Sequence, residues 1–382
     1  MVAPVAGRED SRFLRICLAV LPALSAFMWV GESNSNLYAI GEYFLTYKHG
    51  FVKRALVGDL LSHLGYLSTQ RVQMIEVASL LLAVLVSYVV FRRMLSASLD
   101  TALLAVLVLC SPACLPHLGI LAAQPDVLLF ALLLLAYACL VRLPGVWAPL
   151  AAFIPCAVAL FVHEGFMLLF YPCVVVLLWD GYRNGRFGKL PIAVHLLSFA
   201  ILFLCILRFG KIRIDPVIFY NEAHARTNVP FDAGIFFILT NSLHQQIAET
   251  MIGYTPAFLA GVFLSALLLL PAVLGMAMIL LHLNRARTIP LPAWGIALLF
   301  LAPLGLTCLG HDVMRWVAGS IIGVTLLLAY IAETDGEAFA ASFPTVRKTA
   351  FGVVLYGFAV GPLGGASIRV VVQTLHMLRN SQ

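Results

Sequence analysis

Long apolar runs separated by short polar connectors dominate the chain, and the runs have the length of membrane-crossing helices rather than of core strands. A helix needs about 20 apolar residues to cross a bilayer, and lipid offers no partners for free backbone groups, so helices are the expected way across. About eleven such runs are present. They lie near residues 13–31, 73–91, 99–115, 126–142, 145–162, 165–180, 190–209, 256–282, 290–310, 316–333 and 349–370. The pattern predicts an all-α polytopic transmembrane bundle forming a single integral membrane domain over residues 1–382. The first run follows a short charged tail and lacks a small-residue cleavage site, so it reads as a retained span and not a signal peptide.

Composition agrees with the pattern. The chain is 62% hydrophobic and 11% charged, against roughly 25% charged residues in soluble domains. Its mean hydropathy is +0.98. The net charge of +6 does not point to nucleic acid, because no basic run interleaves with aromatics; anionic lipid headgroups are the expected partner. The eight cysteines all fall in apolar runs without a CxxC pair, which argues against a disulfide or zinc framework.

Every second connector is basic. Arg92 and Arg93, Arg142, Arg183 with Arg186 and Lys189, Arg285 with Arg287, and Arg347 with Lys348 share one side with Arg8, Arg12 and Arg15. Lys and Arg in short connectors are retained in the cytoplasm, which places the N-terminus inside and, with eleven spans, the tail around Arg379 outside. The absence of any Asn-x-Ser/Thr sequon fits a bacterial inner membrane.

The opposite, periplasmic side receives two long segments, Glu32–Val72 and Gly210–Thr255, and most of the ionisable groups whose placement is costly. In the first loop are Glu42, Lys48, His49, Lys53, Arg54 and Asp59. His117 and Asp126 flank the next turn on that side, His163 and Glu164 the one after, and His311, Asp312 and Arg315 a fourth. A helix starting near Phe51 would carry an apolar stripe of Phe51, Val52, Ala55, Leu56, Leu60 and Leu64 and turn Lys53, Arg54 and His63 to polar surroundings. That describes a juxtamembrane helix lying flat in the interface, with Lys53 and Arg54 at phosphate depth, or equally a basic lipid anchor.

The runs around His163–Glu164 are too short for two full spans plus a turn, so this turn is expected to sink below the surface. A sunken His beside a carboxylate suits acid/base or metal chemistry, or an ion pair at a helix end. Asp312 and Arg315 stand three apart on one helical face, where with His311 they bind an anion, position a hydroxyl, or form a structural pair. Pro125 and Asp126 make an ordinary helix start, so Asp126 reads as a cap as well as a binding residue. The His and carboxylate groups together can take a divalent cation, but no pair has a diagnostic metal spacing, and no metal or other cofactor is expected. The stretch Lys211–Asp232 mixes charges, aromatics and Pro, and either folds over the site or is a solvated linker.

No nucleotide-binding loop, dinucleotide fingerprint, HExxH, nucleophile elbow or fixed-period repeat occurs. Gly319-x-x-x-Gly323 and Gly361-x-x-x-Gly365 indicate close helix packing.

In its number of spans, its long acidic first loop with a juxtamembrane helix, and its basic groups at the outer surface, the chain resembles polytopic glycosyltransferases of the GT-C type. More loosely, it resembles the polysaccharide polymerases and ligases of bacterial membranes. The resemblance implies a polyprenyl-phosphate-linked sugar donor and a glycan acceptor at the periplasmic face. It also implies a first-loop carboxylate assisting the acceptor (Glu42, Glu32 or Asp59) and Lys53 and Arg54 holding the phosphate. The paired acidic motif of such loops is not found here, whereas Arg54 and Gly65 have the Arg-x10-Gly spacing of some O-antigen polymerases. Independently of the resemblance, no nucleotide-sugar pool exists outside the cytoplasm, so an outward-facing transferase needs a lipid-carried donor. The expected roles are then acid/base work for Glu42, Asp59, His163, Glu164 and Asp312, and substrate binding for Lys53, Arg54, His117, Asp126, His311 and Arg315. The competing expectation is a proton-coupled transporter or lipid-linked glycan flippase.

Overall fold

The computed structural model describes residues 6–30, 37–241 and 243–362; Glu32, Gly365, the end of the last predicted span and Arg379 lie outside the described residues. Among the described residues the structure is helical, without a β-strand; Leu67 and Thr227 form an isolated parallel bridge. In chain order the helices are α1 (Ala6–Phe27), α2 (Leu37–Glu42), α3 (Ala55–Ser62), α4 (Thr69–Ala97), α5 (Leu99–Leu109) and α6 (Leu115–Ile120). Then come α7 (Asp126–Arg142), α8 (Trp147–Val162), α9 (Phe166–Leu169), α10 (Tyr171–Arg183), α11 (Lys189–Phe209) and α12 (Pro216–His224). The last are α13 (Gly234–Ile238), α14 (Leu243–Gly253), α15 (Pro256–Ala286), α16 (Ala293–Leu304), α17 (Val313–Thr334) and α18 (Gly336–Val360).

Local chemistry sets many of these boundaries. Ser98 closes α4 and opens α5 through a capping box with Thr101, and Thr255 followed by Pro256 opens α15, as orphaned N–H groups at a helix start require. Among the described residues four helices, α4, α11, α15 and α17, are long and apolar enough to cross a membrane. The predicted runs 99–115 and 165–180 are not continuous helices. The first stops at Leu109 ahead of Pro112 and resumes as α6, and the second divides at Phe170 ahead of Pro172, since proline cannot donate into the preceding turn.

At the centre stands α17, buried through most of its length and packed against α5, α7, α10, α15, α16 and α18. Its glycines make that possible: a Cβ at Gly319 would fall 3.0 Å from the Leu169 carbonyl oxygen, so the expected close approach is present there. On the outside, Leu81, Leu85 and Val89 of α4, Leu197, Ile201 and Leu204 of α11, and Phe263, Leu267, Leu274 and Met278 of α15 are exposed. Water does not stabilise apolar surface on that scale; a lipid-facing bundle presents it.

The two long connecting segments fold together instead of running loose. Phe44, Leu45, Val52 and Ala55 of the first pack with Phe219, Ala223, Phe231, Ile235 and Phe236 of the second in a hydrophobic cluster separate from the bundle core. Backbone ties join them: Lys53 N donates to Gly210 O (2.9 Å), Leu67 N to Arg226 O (2.9 Å) and Asp232 N to Leu37 O (3.0 Å). Lys211–Asp232 is therefore a cap with its own core and not a solvated linker.

Candidate functional site: a buried charge network at one end of the bundle

The network begins with a close approach between two short helices. A Cβ at Gly58 of α3 would fall 2.8 Å from the Glu42 carbonyl oxygen at the end of α2, so only glycine lets α3 seat there. Arg54 precedes α3 in the left-handed region, at φ +65°, the sole non-glycine residue with positive φ among the described residues. That conformation is disfavoured by roughly 1–2 kcal/mol for a residue with a Cβ, and here it turns the guanidinium inward.

This differs from the flat interfacial helix the sequence suggests. The helix starts at Ala55 and not near Phe51, and its stripe is divided: Val52 and Ala55 are buried in the cap, while Leu60 and Leu64 are exposed. Lys53 and Arg54 turn toward the protein. Both side chains are largely enclosed, and both reach Glu164.

Arg54 holds Glu164 with a two-bond fork, Nε to Oε2 at 2.8 Å and Nη2 to Oε1 at 2.7 Å, the geometry a planar guanidinium favours. Lys53 Nζ lies 2.9 Å from the same Oε1. The remaining Arg54 nitrogen, Nη1, donates to Glu42 Oε1 at 3.1 Å. His163 closes the group: its Nδ1 accepts from Gly165 N at 2.9 Å, which leaves the ring proton on Nε2, 3.8 Å from Glu42 Oε1. The His163–Glu164 turn is enclosed within the protein.

The two carboxylates here are driven in opposite directions. Burial would raise Glu164, but Arg54 and Lys53 outweigh it and hold its carboxyl well below the usual range. Burial dominates at Glu42, with Arg54 and Arg315 opposing it, and the carboxyl is pushed up to about 7. Its Oε2 is buried and makes no hydrogen bond among the described residues. Burial and the charge of Arg54 hold His163 well below the ordinary imidazole value, so the ring is neutral. Two carboxyl groups split in this way differ in capacity: one carries fixed charge, and the other can exchange a proton near neutral pH.

Beside this group lies a second ion pair. Arg315 on α17 pairs through Nε with Asp126 Oδ2 at the start of α7, and Asp312 Oδ2 is 3.6 Å from Arg315 Nη1. Glu42 feels both Arg315 and Asp126 electrostatically, so the two pairs form one network drawn from the first loop, α7, the α8–α9 turn and α17.

Not every predicted site residue joins it. His311 is drawn away from Arg315, with Nε2 2.8 Å from Thr250 O and its ring edge on Tyr254. Asp312 is mostly exposed. His117 is buried on α6, which packs on α1. Asp59 lines a separate cleft, and its Oδ1 accepts from Tyr47 N at 2.9 Å. No group of three or more His, Cys, Asp or Glu is arranged to hold a metal among the described residues; Arg54, Lys53 and Arg315 already neutralise the carboxylates that would do so.

Tyr38 was not singled out by sequence. Its hydroxyl lies against Arg54, and burial pushes it up to about 12, so it stays a neutral hydrogen-bonding group. The available signal was its position four residues before Glu42 on the same short helix.

At the opposite end a second buried network was also missed. Arg287 joins Asp180 (Nη2 to Oδ2, 2.8 Å) and Asp335 (Nε to Oδ2, 2.6 Å). Arg186 donates to the Leu140 and Val141 carbonyls and to Tyr330. In sequence these arginines register only as connector charges. Compared with protein-family models, curated proteins and solved structures, the chain matches none.

Proposed function

We propose that the protein is a membrane glycosyltransferase or polysaccharide polymerase of GT-C-like design, using a polyprenyl-phosphate-linked sugar at the periplasmic face of a bacterial inner membrane. The chain would cross about eleven times, short and broken helices included, with its N-terminus in the cytoplasm. The observation that carries this reading is Glu42: a buried carboxyl pushed up to about 7, with one oxygen unpartnered and cations beside it. A general base works best when its pKa lies near the working pH.

In the reaction, an acceptor hydroxyl gives its proton to Glu42 Oε2 as its oxygen bonds to the anomeric carbon. The bond from that carbon to the donor phosphate breaks, and the electron pair leaves with polyprenyl phosphate. Lys53 uses one of its three donors on Glu164, and the others are available to the departing phosphate; Arg54 and Arg315 add fixed positive charge. His163, neutral, holds its ring N–H toward Glu42 without competing for the acceptor proton.

The alternative is a proton-coupled transporter or lipid-linked glycan flippase, which needs polar chemistry near mid-bundle. Between Arg315 and Glu333, α17 carries no charged residue, and its buried positions there are Trp, Tyr, Gly, Ser, Thr and aliphatic residues; this favours the enzyme.

The test is complementation of cells lacking the chain. With Glu42→Gln inserted at the normal level, mass spectrometry should find the envelope glycan lost and a polyprenyl-linked sugar accumulated. Wild-type glycan from that variant removes Glu42 as the base. Proteoliposome uptake of a solute, with no glycan product from any lipid-linked donor, assigns the chain to transport.

A further inference from the structure

The cap contains a cleft of about 500 Å3, walled by the first loop on one side and by α12 and the residues after it on the other. It is distinct from the Glu42 network, yet shares its scaffold: Asp59 lies on the α3 helix that Arg54 precedes, and Phe44 lies two residues beyond Glu42. Its volume is that of a small-ligand site.

The lining is charge-balanced. Lys48 and Arg226 supply positive charge, Asp59 and Glu222 negative, and Ser62 adds a hydroxyl. Each uses part of its capacity within the protein: Glu222 Oε1 is 2.8 Å from Lys48 Nζ and its Oε2 2.9 Å from His49 Nε2, Arg226 Nη2 donates to Phe44 O at 2.6 Å, Asp59 Oδ1 takes the Tyr47 N–H, and Ser62 Oγ donates to Asp59 O at 2.6 Å. Two cations and two anions in one cleft give no net attraction for an anion or a cation. They do offer strong donors and strong acceptors side by side, which suits a ligand whose groups both donate and accept. Hydroxyls do both.

Resting on the glycosyl-transfer reading, we infer that this cleft binds a neutral saccharide, the stretch of the acceptor glycan remote from the hydroxyl that reacts at Glu42. Lys48 and Arg226 donate to its ring and hydroxyl oxygens, and Asp59 and Glu222 accept from its hydroxyls. The cap core formed by both long segments holds the two walls in register.

The test uses the purified full chain in nanodiscs without donor, and as probe the neutral oligosaccharides obtained by partial hydrolysis of the mature envelope glycan of the cells that make the protein. Binding is read by saturation-transfer NMR. Ala225 lines the cleft and is exposed, so Ala225→Trp fills the space without removing a hydrogen bond, and binding should fall at least tenfold at unchanged thermal stability. Lys48→Met, at a mostly exposed side chain, should weaken binding about tenfold, the loss of one charge-assisted hydrogen bond. Glu42→Gln should bind as wild type. Wild-type protein that does not bind the fraction, or Ala225→Trp and Lys48→Met that bind it unchanged, overturns the assignment. The two readings fail separately. Saccharide binding with full transfer by Glu42→Gln removes the base and leaves the cleft, whereas absent binding with transfer abolished by Glu42→Gln removes the cleft alone.

Discussion

Arg54 and Glu164 lie 110 residues apart in sequence and meet in a two-bond fork at 2.8 and 2.7 Å, tying the cap to the α8–α9 turn. Lys53 leans on the same carboxylate. Glu164→Gln would leave Arg54 and Lys53 buried without their counter-charge, and breaking one partner of a buried ion pair costs about 3–5 kcal/mol. The expected outcome is a loss of that order in unfolding free energy. Arg54→Lys, with Glu164 in place, should lose only part of that amount, because it keeps the charge and gives up the fork. Unfolding in mixed micelles measures both; a Glu164→Gln protein as stable as wild type removes the fork as a structural tie.

Glu42 and Glu164 give opposite pH dependences. The folded-state pKa of Glu42 is raised from 4.5 to about 7, so the folded protein holds the proton more tightly than the unfolded chain. Its contribution to stability is fully present below about 4.5 and is lost as pH rises through about 7. Glu164 is held well below 4.5, so its contribution is present above 4.5 and is lost as pH falls through its depressed folded value. Unfolding scans across pH should therefore lose their neutral-range slope in Glu42→Gln and their acid-range slope in Glu164→Gln. Transfer activity should rise with a midpoint near 7 as Glu42 deprotonates. A flat activity profile from pH 5 to 9, at the edges of that window, would falsify the base assignment.

Much of this end of the molecule is legible in sequence because burying charge leaves few options. The short apolar runs on either side of His163–Glu164 point to a turn held close to the bundle, and the apolar run after Arg315 sets that residue at a helix start. What periodicity does not reveal is which way a side chain turns before its helix begins. The inward aim of Arg54 depends on its left-handed backbone and on Gly58 seating against α2, both tertiary facts. The choice between Glu42 and Asp59 was hidden for the same reason: both are first-loop carboxylates, and only the fold gives one to the network and the other to the cleft. Asp180 and Arg287 were unreadable because a basic connector looks the same whether its arginine faces solvent or an aspartate 107 residues away.

Gly58 provides a test of the scaffold that touches no charged group. A Cβ there would fall 2.8 Å from Glu42 O and 2.9 Å from Leu45 N, contacts with backbone that cannot move aside as a side-chain tip would. Gly58→Ala should cost about 1–3 kcal/mol from overpacking and should move α3, and Arg54 with it, away from Glu42. The predicted signature is loss of transfer activity together with loss of the pH midpoint near 7, because Glu42 is then no longer enclosed. Full activity with an unshifted midpoint would show that the α2–α3 contact does not position the network.

The clasp at the opposite end separates stability from chemistry. Arg287 is buried and bound to Asp180, which is fully buried, and to Asp335, which is partly exposed. Asp180→Asn leaves the guanidinium short of one counter-charge in an enclosed setting, and a cost toward the lower end of the 3–5 kcal/mol range is expected, since Asp335 still faces it. Asp335→Asn should cost less, because water reaches that carboxylate and screens the pair. Neither substitution touches the Glu42 network. In protein that remains folded, the pH midpoint of transfer should therefore stay at the wild-type position, while unfolding occurs at lower denaturant in Asp180→Asn than in Asp335→Asn. Equal destabilisation by the two would mean that burial does not set the strength of the clasp, and a shifted pH midpoint in either would mean that the two ends of the bundle are coupled through α17.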